Sequence, residues 1–116
     1  MIFRFNASFI RFSFWILVVW VFVLAMSSPS TVSPVMVFSD KLMHAGAFFV
    51  LGFLGLWAYP ELRKIVFIGL LFYGGAIELA QSTTTDRSPE WMDWLADILG
   101  LALALPTHRL RHLFIK

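Results

Sequence analysis

"WMDWLADILG", residues 91–100, sets two aspartates, Asp93 and Asp97, at the head of a run apolar enough to enter a membrane. They stand four apart, so a helix carries both on one face, and Gly100 continues that face one turn deeper. An aspartate near the centre of a spanning helix costs roughly 2.5–3.5 kcal/mol on insertion scales. Such groups must turn toward a bundle interior, where they are paired, protonated or hydrated. The stretch therefore predicts several helices packed around a polar layer, not a single anchor.

Working outward, the rest of the chain agrees. It has 116 residues, 59% hydrophobic and 14% charged, with a mean hydropathy of +0.81. A soluble domain is about half apolar and about a quarter charged. This much apolar side chain needs lipid around it, and the length allows one small domain, residues 1–116. The expected fold class is all-α, a polytopic membrane bundle of four short transmembrane helices at about 12–26, 42–59, 65–80 and 91–105. Each lies near the lower end of the approximately 17–25 residues a span requires, which suggests a thin local bilayer or little tilt. Helices are the plausible form, because open backbone in lipid leaves amides unpaired. "SSPSTVSP" (27–34) reads as a loop, and Pro60 as the exit from the second span. Ser39 or Asp40 is expected to cap the second span, and Ser88 with Pro89 to open the fourth. Trp57, Tyr59, Trp91 and Trp94 fall near span ends, as an aromatic belt would.

Lysine and arginine set the orientation. Arg4, Arg11, Arg63, Lys64, Arg109, Arg111 and Lys116 fall on one side, Lys41 and Arg87 on the other. The first side is expected to be cytoplasmic, giving a multi-pass protein of the cell membrane with both termini inside. A cleavable signal peptide is an alternative for the first span, with Arg4 and Arg11 before it and small residues after; a retained helix is preferred, since three short spans make a thin bundle. No cysteine is present, so disulfides and thiolate chemistry are excluded. The scattered basic residues give no sign of nucleic-acid binding.

On this topology the costly residues gather at the outer end. Lys41 and His44 share a face at the start of the second span, Glu78 and Gln81 at the end of the third, Asp93 and Asp97 at the start of the fourth; Arg87 lies in the outer loop. With a rise of about 1.5 Å per residue, the helical members can share one layer. Gly74, Gly75, Ala96 and Gly100 are small enough for close helix approach around it. The plain structural alternative is a network that only locks helices together. Intramembrane hydrogen bonds average about 0.6 kcal/mol, which makes that use weak glue. The C-terminal "HRLRH" (108–112) reads as a cytoplasmic stop signal rather than a metal site.

These residues also carry a resemblance. "SDKLMHAGAFFVLGFLGL" (39–56), "YGGAIELAQ" (73–81) and "DRSPEWMDWLADILG" (86–100) resemble the VanZ-like family of small membrane proteins. The matching pieces are Asp40, Lys41 and His44; Glu78 and Gln81; Arg87 and Ser88; Asp93, Ala96, Asp97 and Gly100. The loop departs from the family's frequent Pro-Gly, having "TTTD" (83–86). The family's founding member is associated with low-level teicoplanin resistance, so the resemblance implies a cell-envelope role without an agreed reaction.

Three functions follow as expectations. The first is non-catalytic binding of a lipid or lipid-linked headgroup, phosphate- or sugar-bearing, by Lys41, His44, Glu78, Gln81, Arg87, Asp93 and Asp97, with Arg87 suited to phosphate by its forked donors. The second is a small membrane enzyme on a lipid-linked envelope precursor, with His44, Glu78, Asp93 and Asp97 as catalytic candidates and His44 as acid or base. The same four could hold a cation, though no ligand spacing is diagnostic and no cofactor is expected. The third is a transporter subunit; its polar residues occupy one membrane half only, so a path would need a homo-oligomer. Membrane lipids are the expected partners.

Overall fold

The computed structural model describes residues 4–27, 34–83 and 91–115, and only the backbone of Ser27 and of 34–40. Four principal helices carry the chain: α1 (Ala7–Ser27), α2 (Pro34–Ala58), α3 (Arg63–Ser82) and α4 (Trp91–Ala104). A 3-10 turn, Pro60–Leu62, joins α2 to α3, and a 3-10 segment, Leu105–Leu110, leads from α4 into a single final turn, α5 (Arg111–Phe114). The described residues contain no strand, only an isolated bridge between Phe5 and Ile115 that ties the two terminal segments together.

The helices are longer than the apolar runs alone predict. α1, α2 and α3 have 21, 25 and 20 residues, or about 31, 37 and 30 Å, enough for an ordinary hydrocarbon core without thinning it. α1 opens early because Asn6 Oδ1 accepts from the Ser8 amide at 2.7 Å, satisfying one of the donors left over at a helix start. Ser39 and Asp40 do not cap α2. They lie inside it, since the helix begins at Pro34, where a missing amide hydrogen goes unneeded. α2 ends as expected: proline disfavours helix in its predecessor, and Tyr59 has left it at φ −131°, ψ 67°. Ser88 and Pro89 lie outside the described residues.

α2 is the hub, with α1, α3 and α4 all packed on it and α4 sharing the longest seam. That seam runs on small residues. A Cβ on Gly100 would stand 2.2 Å from the Ala45 carbonyl oxygen, and one on Gly52 would stand 2.9 Å from Ala104 Cβ. Gly100 and Ala104, four apart on α4, thus form the small face along which two backbones meet. The core between helices is Phe48, Leu51, Leu56, Ile77 and Leu101, all essentially fully buried. Outside it, Phe12, Trp15, Val19, Trp20, Ile65, Phe72, Leu99 and Leu103 stand more than half exposed along the helices, an apolar jacket that water does not favour. Three helices are long and apolar enough to cross a membrane: Ala7–Met26, Lys41–Ala58 and Pro60–Ser82.

Candidate functional site

α2 and α4 run beside each other with Lys41 and His44 facing Asp93 and Asp97. Lys41 Nζ lies 2.9 Å from Asp93 Oδ1, and His44 Nδ1 lies 3.0 Å from Asp97 Oδ1. These are two rungs of one ladder, about a turn apart, as the three- and four-residue spacings require. The outer rung is the wetter: the Lys41 side chain is 25% exposed and that of Asp93 7%, against 14% for His44 and 3% for Asp97. An ammonium on a four-carbon stem reaches water easily; an imidazole closer in is held by its neighbour.

α3 closes the third side. Its buried face is Leu70, Gly74, Ile77, Glu78 and Gln81, a three- and four-residue stripe. Asp97 sits over the bare backbone of Gly74, where a Cβ would come within 2.8 Å of Oδ2 and 3.3 Å of the Phe48 ring. Glu78 is one turn further along the same stripe, 3% exposed. Gln81 turns toward α1, its Nε2 donating to the Ala25 carbonyl at 2.8 Å. Among the described residues no buried side-chain nitrogen or oxygen lacks a hydrogen-bond partner. The structure therefore brings together Lys41, His44, Glu78, Gln81, Asp93 and Asp97 at one end of the bundle; Arg87 lies outside the described residues.

The geometry settles two chemical points. His44 Nδ1 and Asp97 Oδ1 share a hydrogen bond that orients the ring, with Nδ1 the donor when the carboxylate is ionised. The cation arrangement of His44, Glu78, Asp93 and Asp97 is not assembled: no three such side chains among the described residues converge as metal ligands. Asp93 is engaged by an ammonium group instead, which a divalent ion would have to displace. The cleft beside His44, walled by Leu24, Met43, Phe48 and Ile77, holds about 80 Å³.

Several polar groups escape a reading of the sequence. Trp94 is half-buried, and its indole donates to the Leu71 carbonyl at 3.0 Å, reaching it past Gly75, whose missing side chain leaves the room. Trp57 is interior, 5% exposed, stacked on Phe114 and donating to the Thr107 carbonyl at 3.0 Å. Tyr73 donates to the Val18 carbonyl. At the opposite end Arg111 donates to the Trp57 carbonyl at 2.6 Å and Arg11 to that of Ala58 at 3.2 Å, so two cations cap the last turn of α2. Arg111 of "HRLRH" therefore packs into the bundle as a helix cap. A buried Trp or Tyr must find an acceptor, which is the one clue the sequence offers to these contacts.

Fold and cluster together define a small helical bundle of membrane type with an ionisable layer at one end. No protein-family model matches the chain, and no curated protein or solved structure matches it.

Proposed function

We propose that this chain is a VanZ-like protein of the cell envelope that binds a lipid or lipid-linked headgroup at the outer end of its bundle, with a role in teicoplanin-type resistance. α4, about 21 Å long over its 14 residues, serves as the fourth span and ends where the 3-10 segment begins. Both termini lie in the cytoplasm, as the lysine and arginine distribution requires. The observation that carries the reading is the gathering of four buried polar side chains, Glu78, Gln81, Asp93 and Asp97, with Lys41 and His44 at one end of an otherwise apolar bundle. Helix locking alone does not need so many ionisable groups in one layer.

The 80 Å³ cleft beside His44 is far below the roughly 300–1,000 Å³ of a pocket that engulfs a ligand. The headgroup accordingly rests on the outer rung, Lys41 and Asp93, with Arg87 supplying forked donors to phosphate. The purified full chain tests this when its retained lipids are read by mass spectrometry, with undecaprenyl phosphate added as probe. Arg87→Ala is expected to lower retention at least about tenfold, the scale of a charge-assisted hydrogen bond, and Asp97→Glu to keep part of it. Retention and drug susceptibility both unchanged in R87A would sink the proposal.

A second reading is favoured by the His44–Asp97 pair, which is how an imidazole is held for proton transfer. It makes the chain an enzyme on the same lipid class. Turnover of undecaprenyl-type phosphates by the wild type, abolished in His44→Ala with binding intact, selects it over simple binding.

A further inference from the structure

A second constellation stands at the opposite end of the bundle, apart from the cluster above. The start of α3 and the 3-10 segment after α4 enclose a groove of about 720 Å³. Four basic side chains line it, Arg63 and Lys64 from α3 and His108 and Arg109 from the 3-10 segment. Phe67 and Leu105 continue it toward the apolar jacket. Glu61, on the 3-10 turn just before α3, is not among the described residues lining it.

We infer that this groove holds the headgroup of an anionic membrane phospholipid, its phosphate among Arg63, Lys64 and Arg109 and the first methylenes of its chains along Phe67 and Leu105. Charge complementarity selects the occupant. A volume of headgroup size is lined by cations with no acidic side chain beside them among the described lining residues, and Phe67 and Leu105 supply its apolar wall. Arginine suits a phosphodiester because its planar fork offers parallel donors. A basic pocket between helices on the face expected to be cytoplasmic is where anionic headgroups are available. A soluble phosphate would have no use for the apolar wall, which is why the lipid is chosen over the free anion.

His108 reports on the site. Partial desolvation, with Arg63 and Arg109 nearby, holds its imidazole below the usual histidine value. An anion bound among these groups favours the protonated ring, so phospholipid affinity rises as pH falls through the His108 titration, below about pH 6.5. The other charged groups lining the groove, among the described residues, are Arg63, Lys64 and Arg109.

The test titrates the detergent-solubilised full chain with phosphatidylglycerol and with phosphatidylcholine of the same acyl chains. Saturable, one-to-one binding of phosphatidylglycerol is expected, at least tenfold tighter than phosphatidylcholine. Arg63→Gln/Arg109→Gln should remove that preference and each single variant should weaken it, whereas Arg4→Gln, the same single charge loss at the same end, leaves it within twofold. H108Q should abolish the rise in affinity on acidification. Equal weakening by R4Q and by the single groove variants means diffuse surface attraction and overturns the groove. Inorganic phosphate competing at millimolar concentration as well as the lipid does overturns the choice of occupant. If the double variant does not fold, the wild type still decides: the His108 ring resonance must shift and saturate at one phosphatidylglycerol per chain, and a shift that tracks lipid without saturating overturns the site.

Discussion

Asp97 is the residue on which the ionisable cluster turns. It crosses from α4 to His44 on α2 and rests against the bare Gly74 of α3, so three helices depend on one carboxylate. Removing one partner from a buried pair leaves the other uncompensated, which costs more than the pair itself contributes. Asp97→Ala is therefore expected to destabilise the chain by about 3–5 kcal/mol, read by denaturant unfolding in detergent. His44→Ala and the H44A/D97A double variant complete a cycle, and a coupling of at least about 1 kcal/mol is expected for groups in contact. A coupling near zero means the two do not touch. Gly74→Ala should act on the same network from α3. Its Cβ would come 2.8 Å from Asp97 Oδ2 and 3.3 Å from the buried Phe48 ring, so a loss of about 1–3 kcal/mol is expected. The pairing potential of these residues was legible: acids and bases at helical spacing, all at one end, in a chain with few charges. The bonds of Trp94, Gln81 and Tyr73 were not, because each ends on a backbone carbonyl. Every residue carries one, so no letter of the sequence marks which will accept.

At the scale of elements, the seam between α2 and α4 decides the packing, and its glycines are not equivalent. On Gly100 a Cβ would meet the backbone of Ala45 at 2.2 Å and of Phe49 at 2.9 Å, atoms that cannot swing aside. Gly100→Ala should push the helices apart at a cost of about 3 kcal/mol or more. Gly46, on the same α2, has nothing within 4 Å of a Cβ; Gly46→Ala should be neutral or stabilise by up to about 1 kcal/mol through helix propensity. Equal effects of the two, in parallel unfolding curves, contradict this seam. The number of helices was legible because Pro, Ser and charge interrupt the apolar runs. Their starts were not: Ser39 has the chemistry of a cap, yet the helix already begins at Pro34, five residues upstream, where proline fits the first turn. The exit at Tyr59–Pro60 was legible, because the steric rule on the residue before proline is local.

Across the whole molecule the charges separate by end. Among the described side chains, Arg4, Arg11, Arg63, Lys64, Arg109 and Arg111 stand with the acid Glu61 at the end that holds the arginine caps and the basic groove, while Glu78, Asp93 and Asp97 stand at the other end with Lys41. Under the proposed function the polar layer faces the outer leaflet and the basic groove the inner one. Everything functional rests on which end faces out, and the absence of cysteine makes that directly measurable. Glu61→Cys and Thr83→Cys each place one thiol at an exposed position, at opposite ends of α3. A membrane-impermeant maleimide applied to intact cells is expected to label Thr83→Cys and to reach Glu61→Cys only after the membrane is opened. Labelling of Glu61→Cys in intact cells with Thr83→Cys protected contradicts an outward-facing headgroup site.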